Sequence, residues 1–283
     1  MPGPGDREEL SGAAMILASA ASIQLGAALA TTTFETISPV SAVGVSYAFA
    51  ALFLLAVFRP RVGGWSRQRW RDVVALGLVA ALASSFLFLA LDHLPLGSAV
   101  TIQFLGPLAL AIWTGRRRGV LVAAALALVG VALVSSATPS DDLVGIAFAL
   151  VAALGWALYM LASPRVGRHG GAGAGLAVAL CVTTVVLLPF SAAAAPDLGD
   201  LEILGALAAV GVFARALPFR LELAALRRLP PAKAGVLFSV EPALAALIGA
   251  VALGQGLALS QVVGVLAVVV AGTLVLRDVP EGV

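Results

Sequence analysis

The sequence predicts an all-α integral membrane protein with ten transmembrane helices, arranged as two inverted five-helix repeats. Three observations carry that expectation. Of 283 residues, 61% are hydrophobic and only 11% charged, whereas a soluble domain carries about 25% charge. The apolar residues fall in long runs, and about 20 such residues cross a hydrocarbon core at ~1.5 Å rise each. Lysine and arginine occupy alternate loops, with carboxylates in the loops between them. Membrane strands would alternate apolar and polar residues, and these runs do not.

The spans follow in order. The first, 11–31, comes after Asp6-Arg7-Glu8-Glu9, an acidic leader of the wrong sign for a secretory signal. It is long enough to be a retained helix. The second, 39–58, and third, 73–91, flank a loop where Trp65 and Trp70 sit among arginines as interface anchors. The fourth, 98–115, carries Gly106-Pro107 at mid-span. The fifth, 119–136, shares with the first and seventh an abundance of Ala and Gly, which lets helices pack closely. The sixth is 143–162, the seventh 172–190 and the eighth 203–226. The ninth, 234–253, carries Pro242 at mid-span, and the tenth is 260–277. Loops this short leave no room for a soluble domain.

Low charge excludes an ordinary soluble enzyme, a disordered chain and a nucleic-acid binder, despite a net charge of +2 and a pI of about 9.2. The lone Cys181 excludes an internal disulfide and a thiolate metal cage. A Gly-rich, Lys-containing phosphate loop is absent from the sequence, so no ATP hydrolysis within the chain and no cofactor are expected.

Orientation comes from the basic residues. Arg7, Arg59, Arg61, Arg67, Arg69, Arg71, Arg116–Arg118, Arg165, Arg168, Arg227, Arg228, Lys233 and Arg277 all fall on one side of a ten-span chain. The opposite loops hold Glu35, Asp92, Asp141, Asp142, Asp197, Asp200 and Glu202. The positive-inside rule places both termini in the cytoplasm of a plasma (inner) membrane protein.

The halves resemble each other at a long spacing of 133–135 residues. Leu94-Pro95 matches Leu229-Pro230, Gly106-Pro107 matches Glu241-Pro242, and Gly130-Val131 matches Gly264-Val265. Leu10-Ser11-Gly12 is echoed by Leu143-Val144-Gly145. The repeats are therefore read as 1–138 and 139–283. Five is odd, so the second copy lies upside down relative to the first, as in many secondary transporters. Paired interruptions in corresponding helices point to a transporter's central site. In this chain they are Gly106, Pro107 and Pro242, with proline expected to free the carbonyl four residues earlier.

Ionisable groups inside spans normally face the bundle interior and have a role. Glu241 lies about 12 Å from the cytoplasmic end of its span by helical rise, which makes it the first candidate for binding an amine or exchanging a proton. The eighth span carries Arg215, Arg220 and Glu222. Arg215 and Glu222, seven apart, share a helix face. A structural pair between Arg215 and Glu222 or Glu241 is the first expectation, and capture of a substrate carboxylate by Arg215 is the alternative. Gln24 and Gln103 can hydrogen-bond a zwitterionic solute, or another helix. Tyr47, Trp156 and Tyr159 line a cavity or join the interfacial belts.

Several stretches resemble the EamA-type transporters of the drug/metabolite transporter superfamily, most closely the threonine/homoserine exporter branch. They are Ala20-Ala21-Ser22-Ile23-Gln24-Leu25-Gly26-Ala27-Ala28, Leu94-Pro95-Leu96-Gly97-Ser98-Ala99 leading into Phe104-Leu105-Gly106-Pro107, Leu217-Pro218-Phe219-Arg220-Leu221-Glu222, and Val240-Glu241-Pro242-Ala243-Leu244 with Leu253-Gly254-Gln255. The resemblance implies an inner-membrane exporter of small amino acids or related metabolites, driven by the proton gradient. Glu222 and Glu241 fit its pattern and Arg215 stands outside it. Gln103 and Gln255 replace frequent glutamates, and Arg220 fills a position expected to be small and polar.

The expected function is efflux of a small zwitterionic solute, such as threonine or homoserine, by alternating access with a proton as coupling ion. An exporter of drugs or other metabolites, and a non-transporting scaffold whose charges pair with a partner protein, are the rivals. A membrane-embedded enzyme lacks a constellation to support it, because His93 and His169 fall on opposite sides and no ligand cluster accompanies them.

Overall fold

The computed structural model describes residues 4–106, 109–110, 122, 125–130, 132–133, 142–169, 171–192, 199–225, 228, 237–238 and 240–277. Among the described residues the structure is helical, with no strand. Its helices are α1 (Pro4–Thr31), α2 (Pro39–Phe58), α3 (Arg67–His93), α4 (Leu96–Gln103), α5 (Leu143–Arg168), α6 (Ala172–Ala192), α7 (Leu201–Gly211), α8 (Leu217–Ala225), α9 (Glu241–Ala252) and α10 (Leu259–Arg277). A π-helical turn, Val212–Ala216, joins α7 to α8 without a break. Among the described residues, six helices are long and apolar enough to cross a membrane: Leu10–Thr31, Pro39–Phe58, Arg67–His93, Leu143–Arg168, Ala172–Ala192 and Leu201–Glu222. Half of the expected fifth span, together with Pro107, lies outside the described residues.

Caps set several helix starts. Ser38 accepts from the Ser41 N–H ahead of Pro39, and Ser66 accepts from the Arg69 N–H. Asp142 accepts from the Gly145 N–H at 2.9 Å, and Asp200 from the Glu202 N–H at 2.8 Å. Each side chain satisfies a donor that the first helical turn leaves unpaired. Leu94 is extended because it precedes Pro95, whose ring disfavours a helical residue before it. That ends α3, and α4 starts at once.

The radial distribution is that of a lipid-embedded bundle. Large aliphatics face outward, including Leu201 at 82%, Leu259 at 79% and Val251 at 78% exposure. Small residues occupy the helix contacts, where they let backbones approach. An added Cβ at Gly26 would lie 2.8 Å from the Ala214 backbone nitrogen, and one at Gly155 would lie 2.9 Å from that of Ala83. The first of these is the α1 crossing with the π turn, the second the α5 crossing with α3. Gly97 of α4 meets Ala246 of α9, and Gly130 meets the backbone of Gly264 on α10. Helices α3 and α5 run antiparallel and are fastened at both ends. His169 and Asp72 meet at 2.7 Å at one end, and His93 and Asp142 at 2.9 Å at the other.

Among the described residues, the fourth and ninth spans are each interrupted a few residues ahead of the prolines. The fourth is interrupted before Gly106-Pro107: α4 ends at Gln103, and Phe104 forms a turn whose N–H bonds the Val100 carbonyl. In the ninth, Pro242 does not kink a continuous helix. It sits in the first turn of the twelve-residue α9, preceded by Val240, whose side chain supplies no cap. A proline lacks only a donor that the first turn cannot use, so it starts a helix more readily than it interrupts one. Glu241 is thus the first residue of a half-length helix, where the helix dipole favours a negative group.

Candidate substrate site

The eighth span (α7, the π turn and α8) organises the interior. Leu217 N–H reaches back five residues to the Val212 carbonyl, and the next residue, Pro218, has no N–H to give. The Phe213 carbonyl therefore loses its intrahelical donors. Ser22 of α1 supplies one, donating from Oγ at 2.6 Å. One turn earlier on the same face of α1, Ser19 donates to Glu222 Oε1 at 2.7 Å. Helix α1 thus holds both the widened turn and the carboxylate beyond it. Gln24 of α1 is 2% exposed, and its side-chain oxygen is buried without a partner.

The π turn also changes the direction of Arg215. Its guanidinium carbon lies 3.8 Å from the Tyr47 ring centroid on α2 and 5.4 Å from that of Phe88 on α3. Nη1 donates to Ser84 Oγ at 3.3 Å, and Ser84 in turn bonds the Tyr47 hydroxyl at 2.7 Å. Ser84 and Phe88, four apart, present one face of α3 to the arginine. Nε and Nη2 are buried with no hydrogen-bond partner. The close histidine–carboxylate contacts among the described residues are His93–Asp142 and His169–Asp72, and Arg215 has neither Glu222 nor Glu241 at ion-pair distance, so their expected pairing is not formed. Seven residues bring two side chains onto one face only in a regular α-helix, and the π turn breaks that register at Arg215 itself.

Glu241 is 3% exposed and lies within Coulombic range of Glu222. Tyr159 of α5 lies close enough to both Glu222 and Tyr47 for electrostatic interaction. The structure therefore brings Glu241, Glu222, Tyr159, Tyr47 and Arg215 into one connected interior. Gln103 is buried at the end of α4, and Gly106 packs against the backbone of Ala153 on α5. Trp156 belongs to packing, edge-on to Phe104 at 6.3 Å. Arg220 is exposed, 5.8 Å from the Phe58 ring, as a snorkelling residue would be. Ser19, Ser84 and Phe88 escaped the sequence reading. The one signal available was a polar pair, Ser84-Ser85, at the centre of an apolar run.

Outside the spans, Asp142 is held below the ordinary carboxylate range, first by the Gly145 N–H and then by the His93 imidazole. Among the described residues no group of histidine, cysteine and carboxylates is placed to hold a metal.

The sequence profile of the EamA-like transporter family matches residues 143–277. Threonine/homoserine exporter RhtA of Salmonella typhimurium (strain LT2) is 33% identical over 274 residues, covering 94% of this chain and 92% of the relative. The chain belongs to the EamA-like transporter family. RhtA of Escherichia coli (strain K12) is 32% identical over 261 residues, or 91% of this chain and 88% of the relative. An uncharacterized transporter of Clostridium kluyveri is 24% identical over 214 residues, 68% of this chain and 67% of its own. A crystal structure at 22% identity shares the fold, with a TM-score of 0.60 over 95% of this chain and 96% of that one. This EamA-like transporter is a multi-pass membrane protein and not an enzyme.

Proposed function

We propose that this EamA-like transporter is a secondary exporter of small amino acids, threonine and homoserine or close metabolites, coupled to the proton gradient. The observation that carries the reading is an interior with two poles of opposite sign. Glu241 and Glu222 share the space near α9 and α8, and the Arg215 guanidinium occupies the space between α2 and α3. Two carboxylates in a low-dielectric interior repel each other, an arrangement that attracts a cation, either a proton or a substrate ammonium. Exchange of one for the other at Glu241 couples the two fluxes. Gln24, with its unpartnered oxygen, and Gln103, at the break in the fourth span, supply hydrogen bonds to the solute.

Movement follows from the repeats, 1–138 and 139–283, each with five spans. The close approach of Gly130 and Gly264, matched at a spacing of 134, supports a pseudo-two-fold axis between the repeats. The Gly26–Ala214 and Gly155–Ala83 crossings join the first span to the eighth and the sixth to the third, and inverting the repeats exchanges those two pairs. The breaks at Phe104 and Val240 fall in corresponding spans and serve as hinges. Rocking of one repeat against the other then opens the site to each compartment in turn. Both termini lie in the cytoplasm of an inner membrane, on the side of the basic loops.

Intracellular amino-acid pools in cells lacking and overproducing the protein test the substrate. Overproduction is expected to lower intracellular threonine and homoserine and raise their external concentration. Unchanged pools of both, with tolerance to high external threonine also unchanged, would refute this substrate assignment.

A further inference from the structure

The two buried nitrogens of Arg215 without partners are Nε and Nη2. These lie on one edge of the planar guanidinium and donate in parallel, the geometry that receives both oxygens of a carboxylate. Nη1, on the other side, is already engaged by Ser84 Oγ at 3.3 Å. The planar face is covered by the Tyr47 ring at 3.8 Å, with Phe88 at 5.4 Å. The guanidinium is therefore held in place by three side chains from α2 and α3, with its carboxylate-matching edge left over. A buried cation normally has an acidic partner, because taking an unpaired ion out of water is costly. Here both interior glutamates stand elsewhere: Glu222 is bonded to Ser19, and Glu241 begins α9.

We infer that the Nε–Nη2 edge of Arg215 is the receptor for the carboxylate of the transported solute, and makes a free carboxylate a requirement for binding. The inference rests on the proposed reading of this interior as the substrate site. A zwitterion with its carboxylate at Arg215 carries its ammonium on the same small molecule, free to face the acidic side of the interior that holds Glu222 and Glu241. Seating on Tyr47 and Ser84 fixes the fork before the solute arrives, which limits the ordering cost of binding. Lysine in this position would keep the charge and lose the two parallel donors.

The test compares L-threonine with L-threoninamide, which keeps the ammonium and the side chain and lacks only the carboxylate charge. 3-Hydroxybutyrate, which keeps the carboxylate and lacks the ammonium, is the third probe. Each is titrated calorimetrically into the full chain in nanodiscs. The wild type is expected to bind threoninamide at least about tenfold more weakly than threonine, the scale of a charged bidentate contact. Arg215→Gln is expected to weaken threonine by a similar factor and to leave threoninamide within about twofold, with Arg215→Lys recovering threonine only in part. Equal binding of acid and amide by the wild type overturns the inference and leaves the exporter standing. Equal loss of acid and amide in Arg215→Gln also overturns it, by making the arginine structural. If neither carboxylate probe binds while a cationic or uncharged solute does, both the inference and the amino-acid reading fall. Should the variants not fold, the acid-to-amide ratio of the wild type decides alone.

Discussion

Ser22 of α1 donates its hydroxyl proton to the Phe213 carbonyl at 2.6 Å, and so supplies the donor that the π turn and Pro218 together remove. In the membrane interior no water replaces it, and an unsatisfied carbonyl there is costly. Ser22→Ala is expected to destabilise the protein by about 1–2 kcal/mol, read as a lowered thermal midpoint in detergent. Ser11→Ala, which loses only an exposed bond to the Glu8 carbonyl, is expected to leave that midpoint unchanged. Equal midpoints for the two variants would show that the carbonyl finds another donor.

The two Gly–Ala crossings leave no room for a methyl group. At Gly26 and Gly155 the added Cβ would meet the backbone of Ala214 and Ala83, with no flexible side chain to give way. Gly26→Ala and Gly155→Ala are each expected to cost about 1–3 kcal/mol through helix separation. Gly205 on α7 has nothing within 4 Å of its added Cβ. Gly205→Ala is expected to stabilise by about 0.5–1 kcal/mol, because alanine loses less backbone freedom in a helix. Thermal midpoints of the three variants, two lowered and one raised, check the packing directly.

The Asp142 clasp has a definite pH window. Its carboxylate is held below its ordinary value, so the charged form favours the folded state. That contribution is complete above the ordinary carboxylate value of about 3.9 and is lost as pH falls below it through the lowered one. Asp142→Asn keeps an acceptor for the Gly145 N–H and removes the titration. The fall in thermal midpoint from pH 5 to pH 3 is expected to be smaller in the variant than in the wild type. An identical fall in both would assign the acid sensitivity to other groups.

Much of this was legible in the chain. Charge depletion and run length gave the spans that became α1, α2, α3, α5, α6 and the α7–α8 helix, because a bilayer imposes length and apolarity on each segment separately. The burial of Glu241 and Gln24 was also legible, since polar groups inside apolar runs turn inward. The partner of Arg215 was not. A seven-residue spacing implies a shared face only while the helix stays regular, and the π turn depends on Pro218 and on Ser22, nearly two hundred positions away. Pro242 as a helix start, in place of a kink, was hidden for a related reason. Proline suits either role, and the turn at Val240 that decides between them carries no capping side chain that the sequence would reveal.

Ser19 and Glu222 offer a separate check on the acidic pole. Ser19→Ala removes the hydroxyl that orients the carboxylate at 2.7 Å and keeps the carboxylate itself. Threonine affinity is expected to fall about three- to tenfold, in line with loss of one bond to a charged group. Glu222→Gln is expected to fall at least as far. Affinity unchanged in both would place the ammonium away from Glu222.

The most direct measurement is threonine flux by the purified protein in liposomes under an imposed pH gradient. The wild type is expected to drive threonine against its concentration gradient, with collapse on adding a protonophore. Glu241→Gln is expected to lose that uphill movement, because its side chain no longer exchanges a proton for the substrate amine. Full gradient-driven flux in Glu241→Gln would contradict the assignment of coupling to this carboxylate, and no threonine flux by the wild type would contradict the exporter itself.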